Sequence, residues 1–265
     1  MMMERNVSPW AVVTGASGGL GMELARDLAR RGFRLLITAR SKPRLTQVAR
    51  ELEAAHGRQV LYEVADLATA TGVQQVFARA QQLDVFPEVL ANNAGVGMYG
   101  EFADQDLASI RSMLQLDLIS LTELTHLFAA QMRAGNGGRI LLVGSMAAYQ
   151  PVPMMAAYGA AKAYVLSFGE ALAAELAPQI NVCVLSPGIM ETGFGSVSGY
   201  KHPDSLRPMI LKASKVAQIG LDALFAGRSG VIAGRLNGLM ALVSRLLPRR
   251  FSAQTTVRME RKTQR

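Results

Sequence analysis

The chain of 265 residues is 50% hydrophobic and 18% charged, with a formal charge of +8, enough to bury one sizeable core and in keeping with a single α/β domain spanning 1–265. Its one cysteine, Cys183, excludes an intrachain disulfide and fits a reducing compartment, while no apolar run approaches the roughly 18 residues of a membrane span and Met1–Pro9 lacks an apolar signal region. A cytoplasmic protein is expected; 6% aromatics without basic interleaving argue against nucleic-acid binding, and His56, His126 and His202 form no ligand-spaced metal cluster.

The first apolar run, Ala11–Val13, leads into Thr14-Gly15-Ala16-Ser17-Gly18-Gly19-Leu20-Gly21 and then a helical period over Leu20–Arg30. A glycine-rich turn between an apolar strand and a helix lets backbone N–H groups and the helix N-terminus hold a pyrophosphate. The second strand, Leu35–Ala39, ends about 20 residues beyond that turn, where an Asp or Glu would grip the ribose 2′-hydroxyl of NAD. Ala39 occupies this place, and Arg40 follows with a guanidinium able to pair with a 2′-phosphate. NADP(H) is therefore expected as cofactor; the alternative is a solvated arginine in a basic loop with Lys42 and Arg44.

Helix Arg44–His56, strand Val60–Val64, helix Thr71–Gln82 and strand Val89–Asn92 come next, then a long helix Leu107–Met132 and strand Ile140–Gly144. Ser145 stands just past that strand. On the following helix, Met154–Leu176, Tyr158 and Lys162 are four residues apart and so share a face one turn apart. A free phenol has a pKa of about 10 and needs a neighbouring cation to act near neutrality. Strands Val182–Ser186 and Val231–Ala233 complete a strand–helix alternation of about seven strands. Right-handed crossovers then give a doubly wound, Rossmann-like parallel sheet with helices on both faces. Ligands of such sheets bind beyond the carboxyl ends of the strands, where these polar groups fall.

Together, Thr14-Gly-x-x-x-Gly-x-Gly21, Asn92-Asn93-Ala94-Gly95, Ser145 with Tyr158 and Lys162, and Pro187-Gly188 with Thr192 resemble, in order and spacing, the motifs of the short-chain dehydrogenase/reductases over roughly Pro9 to Ala233. The resemblance implies an oxidoreductase in which Tyr158 exchanges the proton, Ser145 orients the carbonyl, and Lys162 tunes Tyr158 and holds the nicotinamide ribose. It further implies a cofactor cradle of Gly15, Ser17, Gly18, Gly19, Leu20 and Gly21, adenine flanked by Asp66 and Leu67, and a wall of Asn92, Asn93, Ala94 and Gly95. Pro187, Gly188 and Thr192 would lie on the nicotinamide side. Asp66 has a competing explanation as the cap of a helix beginning near Ala68. Family members usually carry Asn where this chain has Asp117; that residue marks a kink in its helix, and its backbone carbonyl holds a water leading to the lysine. The carbonyl survives the exchange, but a carboxylate beside Lys162 would partly neutralise the charge that activates Tyr158. The rival to an enzyme is a non-catalytic NADP(H)-binding sensor or assembly partner. A homodimer or homotetramer is implied, commonly through the two long helices.

The residues expected near the nicotinamide are apolar: Met98, Met146, Ala147, Met154, Met155, Ile189, Met190 and Phe194. They favour a hydrophobic ketone or aldehyde such as an oxoacyl thioester, a steroid-like ketone or a natural-product carbonyl. The Gly/Ser-rich stretch from Gly193 to Pro208 stands where the family has its substrate lid. From 235 to 265 the chain reads as a basic extension. Leu236, Leu239, Met240, Val243, Leu246 and Leu247 recur at helical spacing, and Arg245 to Arg265 hold seven Lys/Arg against Glu260 alone. Peripheral contact with an anionic membrane is one expectation; the plainer one is a helix packed on the domain or a partner subunit, followed by a solvated tail.

Overall fold

The computed structural model of the protein describes residues 8–191, 198–199, 209–246, 248 and 253–254. Seven strands lie among them: β1 Trp10–Thr14, β2 Arg34–Ala39, β3 Val60–Val64, β4 Pro87–Asn92, β5 Gly138–Val143, β6 Ile180–Ser186 and β7 Gly230–Ile232. They form one sheet in the order β3-β2-β1-β4-β5-β6-β7, every pair parallel. The direction of winding reverses between β1 and β4, which opens a crevice at their carboxyl ends. The helices are α1 Gly19–Arg30, α2 Lys42–His56, α3 Gly72–Gln82, α4 Leu107–Leu114, α5 Leu121–Ala134, α6 Ala156–Glu175, α7 Ala213–Phe225 and α8 Arg235–Leu246.

The central strands are unbroken apolar runs because helices cover both faces of the sheet. Alternate side chains go to opposite layers: Ala11, Val13, Leu141 and Cys183 pack with α1, α2 and α7 through Leu24, Leu45 and Leu221, whereas Val12, Leu142 and Val182 pack with α3, α5 and α6 through Val76, Phe128 and Val165. Asp27 and Arg31 of α1 tie into Asp222 of α7 at 2.5 Å, bracing one layer. Burial pushes the Cys183 thiol up to about 12. A disulfide reagent at pH 8 is therefore expected to leave Cys183 unmodified in the folded protein and to titrate it fully in denaturant; rapid modification of native protein would show that this layer opens.

The long helix expected over Leu107–Met132 is interrupted. Gln115–Ser120 forms a π-helical turn between α4 and α5, and such bulges insert a residue to re-aim a side chain. The cause lies in the contacts made there: Asp117 is pulled toward the fourth-strand loop, and Ser120 Oγ donates to the Leu67 carbonyl at 2.5 Å. The helix expected from Met154 begins at Ala156 instead, because Met154 has φ of +67°, outside the helical region. No helix begins near Ala68. Residues 67–71 are turn and bend, with α3 starting at Gly72, where a Cβ would come 2.1 Å from the Asp66 carbonyl oxygen. Met190 and Leu211 meet as a parallel bridge, with Leu211 N–H donating to Ile189 O and Glu191 N–H to Leu211 O, each at 3.2 Å.

Candidate active site

The glycine turn sits at the carboxyl end of β1, at the reversal point of the sheet. Gly15 has φ of +69° and an added Cβ would meet Asn93 Nδ2 at 2.8 Å; at Gly21 it would meet the Gly15 carbonyl oxygen at 2.2 Å. These two positions need glycine for closeness between the turn, α1 and the fourth-strand loop. Gly18 differs, since nothing lies within 4 Å of a Cβ there. Helix α1 starts with no side-chain cap and no acidic residue in its first turn. Its leading N–H groups face open space beside Gly18, so the residues present fit a pyrophosphate. Ser17 and Gly19 complete the turn, while Leu20 is buried in the layer beneath.

Thr14 is the hub that sequence reasoning undervalued. Its hydroxyl donates to Asn92 Oδ1 at 3.3 Å and accepts from the N–H groups of Asn93 and Ala94 at 2.9 and 2.8 Å, while Asn93 Nδ2 donates to the Thr14 carbonyl. Asn92 is 2% exposed and also donates to Leu121 O and Thr125 Oγ1, so its side chain joins the sheet to α5 rather than facing the crevice. Asn93, Ala94 and Gly95 lie along the crevice edge, and Gly95 is exposed. Asp66 follows β3; its Oδ1 accepts from Ala68 N–H at 3.0 Å, so it braces the turn rather than a helix, and Leu67 beside it is buried. Arg40, past β2, is exposed and makes no hydrogen bond or ion pair among the described residues.

Across the reversal point, Ser145 follows β5. It opens the 3₁₀ turn Met146–Ala148 and accepts from Ala147 N–H at 3.1 Å, and Met146 N–H donates to the Pro187 carbonyl. That bond holds the serine turn against Pro187-Gly188. Gly188 is needed for another close approach, since a Cβ would come 2.4 Å from Asn237 Nδ2 on α8, a contact that nothing in the spacing of the motifs signals. Thr192, Phe194 and the stretch from Gly193 fall largely outside the described residues.

Tyr158 stands in the first turn of α6, 7% exposed, its phenol in hydrogen-bonding contact with Ser145. Lys162, 4% exposed, lies one turn on, with Nζ 5.6 Å from the Tyr158 ring centroid, 3.3 Å from the Val143 carbonyl oxygen and 2.9 Å from Asp117 Oδ2. Asp117 is wholly buried. Its Oδ1 accepts from Val96 N–H at 2.9 Å, while Oδ2 has no aligned hydrogen-bond donor and is held by the ion pair. Gly95 leaves room for this pair: a Cβ there would lie within 3.2 Å of both Asp117 oxygens and Lys162 Nζ.

The electrostatics follow from this arrangement. Burial raises the Tyr158 pKa; Lys162 and the Ser145 hydroxyl pull it down, Asp117 pushes it up, and the balance stays above the ordinary phenol value. The expected lowering by Lys162 is therefore present but outweighed. For Lys162 burial disfavours the ammonium, yet Asp117 and Tyr158 together outweigh it and hold the pKa above its ordinary value. The outcome is a protonated phenol beside a hydroxyl and a fixed cation, a group suited to giving a proton to an oxygen that gains negative charge.

The wall next to the phenol is apolar. Met113, Met155 and Tyr158 form a buried cluster, with Val96, Met98, Tyr99, Leu114, Ala147, Val152 and Ala157 packed against it. Met98, Ala147 and Met155 were expected in this neighbourhood. Met190 instead packs with the layer of α1 and α7, while Met146, Met154 and Ile189 are half-buried in the surrounding loops.

Residues 9–200 match the family model described as short chain dehydrogenase. The chain is 30% identical over 214 residues to a ketoacyl reductase from Nostoc sp., covering 77% of this chain and 74% of that protein. It is 34% identical over 221 residues to a very-long-chain 3-oxoacyl-CoA reductase from Anas platyrhynchos, covering 81% and 70%. Among solved structures, a short-chain dehydrogenase from Sphingobium yanoikuyae in complex with NADPH superposes with a TM-score of 0.79 at 30% identity, covering 90% of this chain and 94% of that one.

Proposed function

The chain belongs to the short-chain dehydrogenase family, and on that premise we propose that it is an NADPH-dependent reductase of a hydrophobic ketone or aldehyde. The observation that carries this reading is the buried Tyr158 and Lys162 beside the half-buried Ser145, with the phenol held protonated at the carboxyl edge of the sheet next to an apolar wall. Bound NADPH supplies the hydride to the carbonyl carbon. Tyr158 Oη gives its proton to the carbonyl oxygen, so hydride and proton together make the alcohol. Ser145 Oγ accepts from Ala147 N–H, and its hydroxyl, which contacts the phenol here, would turn its hydrogen to that same oxygen. Lys162 stabilises the phenolate left behind and, by family resemblance, holds the nicotinamide ribose.

For the cofactor, Gly15, Ser17, Gly18, Gly19, Leu20 and Gly21 would hold the pyrophosphate at the start of α1, with Asp66, Leu67, Asn93, Ala94 and Gly95 along the adenosine side. Pro187, Gly188 and Thr192 would border the nicotinamide. Arg40 supports NADPH over NADH: it is an exposed, uncommitted guanidinium past β2 where no carboxylate waits for a ribose hydroxyl. The solved relative with NADPH bound is in keeping with this choice. An oxoacyl thioester is the favoured substrate class, because the methionine-rich wall suits an acyl chain and both relatives named above reduce ketoacyl groups. Self-association through α5 and α6 is part of the same proposal, where Ile119 (47% exposed) and Tyr164 (37%) lie on the surface near the Thr122–Tyr164 hydrogen bond.

The test is oxidation of NADPH and of NADH against long-chain oxoacyl thioesters, lipophilic ketones and aldehydes. Turnover with NADPH is expected, and Arg40→Ala is expected to raise the KM for NADPH by about tenfold or more, the scale of one lost charge-assisted phosphate contact, with little change for NADH. Equal losses for both cofactors would remove Arg40 from the assignment. Tight NADPH binding with no turnover on any carbonyl would instead favour the non-catalytic sensor.

A further inference from the structure

Helix α8 rests on the domain by the wrong side for an ordinary amphipathic helix. Its buried residues are Asn237 and Ala241 (3% and 2% exposed), with Ser244 beside them donating to the Ala241 carbonyl. At 100° per residue, Leu239, Leu242, Val243 and Leu246 fall on the opposite side with Leu236 and Met240 on its flank, and they are 43 to 79% exposed. Aliphatic side chains of this size are strongly favoured to leave water, so a continuous arc of them turned outward signals an occupant. Arg235 stands at the N-terminal end of the arc and Arg245 on its flank, 3.9 Å from Glu170, and seven Lys/Arg stand against Glu260 from 245 to 265.

We propose that α8 is the membrane-docking surface of this protein, lying in the plane of an anionic lipid bilayer with its aliphatic arc among the acyl chains and its cationic border on the headgroups. Charge decides against a second copy of the chain as occupant, because two such faces would bring the same cations together. Side-chain chemistry decides against an acidic protein, since the arc holds no aromatic residue and protein hot spots are enriched in Trp and Tyr. A shallow, aliphatic, cation-bordered helix is what an interfacial anchor requires. No helix among the described residues is long and apolar enough to cross a membrane, so the contact is peripheral.

The docked helix is continuous with the site. Asn237 packs on Gly188, and the Arg245 guanidinium lies 5.2 Å from the Tyr149 ring centroid, just beyond the serine turn. Docking would therefore bring the Pro187-Gly188 side of the crevice to the lipid surface. The inference does not rest on the proposed reaction, because binding is measured without cofactor or substrate.

The experiment is co-flotation of the full chain with phosphatidylcholine vesicles, with and without phosphatidylglycerol, alongside light scattering of the free protein. Binding to the anionic vesicles is expected, with most of it lost in high salt. The variant Leu239→Glu/Val243→Glu alters two exposed side chains, so it should melt like the parent, yet its lipid partitioning should fall by about tenfold or more per position. Absence of binding, equal binding to pure phosphatidylcholine, or full binding by the variant would each overturn the proposal. So would a variant of smaller assembly from a parent that ignores vesicles, which would assign the face to contact between copies.

Discussion

Replacing Tyr158 by phenylalanine is expected to lower kcat for carbonyl reduction by about 10²–10⁴-fold, the range spanned by a single positioned proton donor. The substitution removes one oxygen and keeps the ring. Packing against Met113 and Met155 persists, and Lys162 retains Asp117 and the Val143 carbonyl. The lost hydrogen bond to Ser145 costs about 1 kcal/mol, so the fold survives and NADPH affinity changes little. Steady-state turnover beside NADPH fluorescence titration separates these effects. A variant that turned over like the parent would require another proton donor, and none stands beside Ser145 in the described site. Because burial holds the phenol protonated, the parent's reduction rate is expected to stay level through neutral pH and to fall only in the alkaline range, where Tyr158 ionises.

Asp117 carries the second large expectation. Asp117→Ala would leave the Lys162 ammonium buried without its carboxylate, and stripping one partner from a buried pair costs about 3–5 kcal/mol. The sign of the pH dependence follows from Lys162, whose pKa in the folded protein is raised. A raised pKa means the native state holds its proton more tightly than the unfolded chain. The pair's stabilisation is thus complete below the ordinary lysine value of 10.5 and drains away as pH climbs through the higher folded value. Chemical denaturation of parent and variant should differ most at neutral pH and converge in strong alkali. Asp117→Asn makes the finer test, since an amide oxygen can still accept from Val96 N–H. Without the carboxylate's repulsion, the Tyr158 pKa comes down, and the pH profile of the reverse alcohol oxidation, which needs phenolate, should move toward acid. Superimposable profiles would reduce Asp117 to a structural substitution.

The strand order and the crevice were legible because apolar runs, glycines and helical periods repeat in a regular pattern that leaves few topologies open. The nearness of Tyr158 and Lys162 was legible because four residues along a helix put them on one face, whereas Ser145, on another element, was named only by the family resemblance. What stayed hidden depended on contacts between segments far apart in sequence. The resemblance placed a kink at Asp117 but not its form, the π-turn at Gln115–Ser120, which arises where Asp117 reaches Val96 and Lys162. The resemblance put Asn92, the last residue of β4, in the cofactor wall, but a side chain's direction at a strand end is set by its partners, here Thr14, Leu121 and Thr125. Gly188 was read for its passage near a ring, whereas the neighbour that forbids a side chain is Asn237, nearly fifty positions on. For α8 the period was visible, but only the structure reveals which side faces the domain.

The bridge between Met190 and Leu211 gives this architecture a seam. Between the end of β6 and the start of α7 the chain is joined to itself at this hydrogen-bonded stem. Loop closure depends only logarithmically on the length enclosed once the ends are pinned. Inside the loop Ser198 is buried and its carbonyl accepts from Tyr99 N–H at 3.0 Å, and Tyr99 packs on the Tyr158 cluster, so changes of length burden the sheet and the glycine turn little only where that contact is kept. Met190 and Leu211 thus mark the two points at which a segment of another length could be joined with the least disturbance to the sheet.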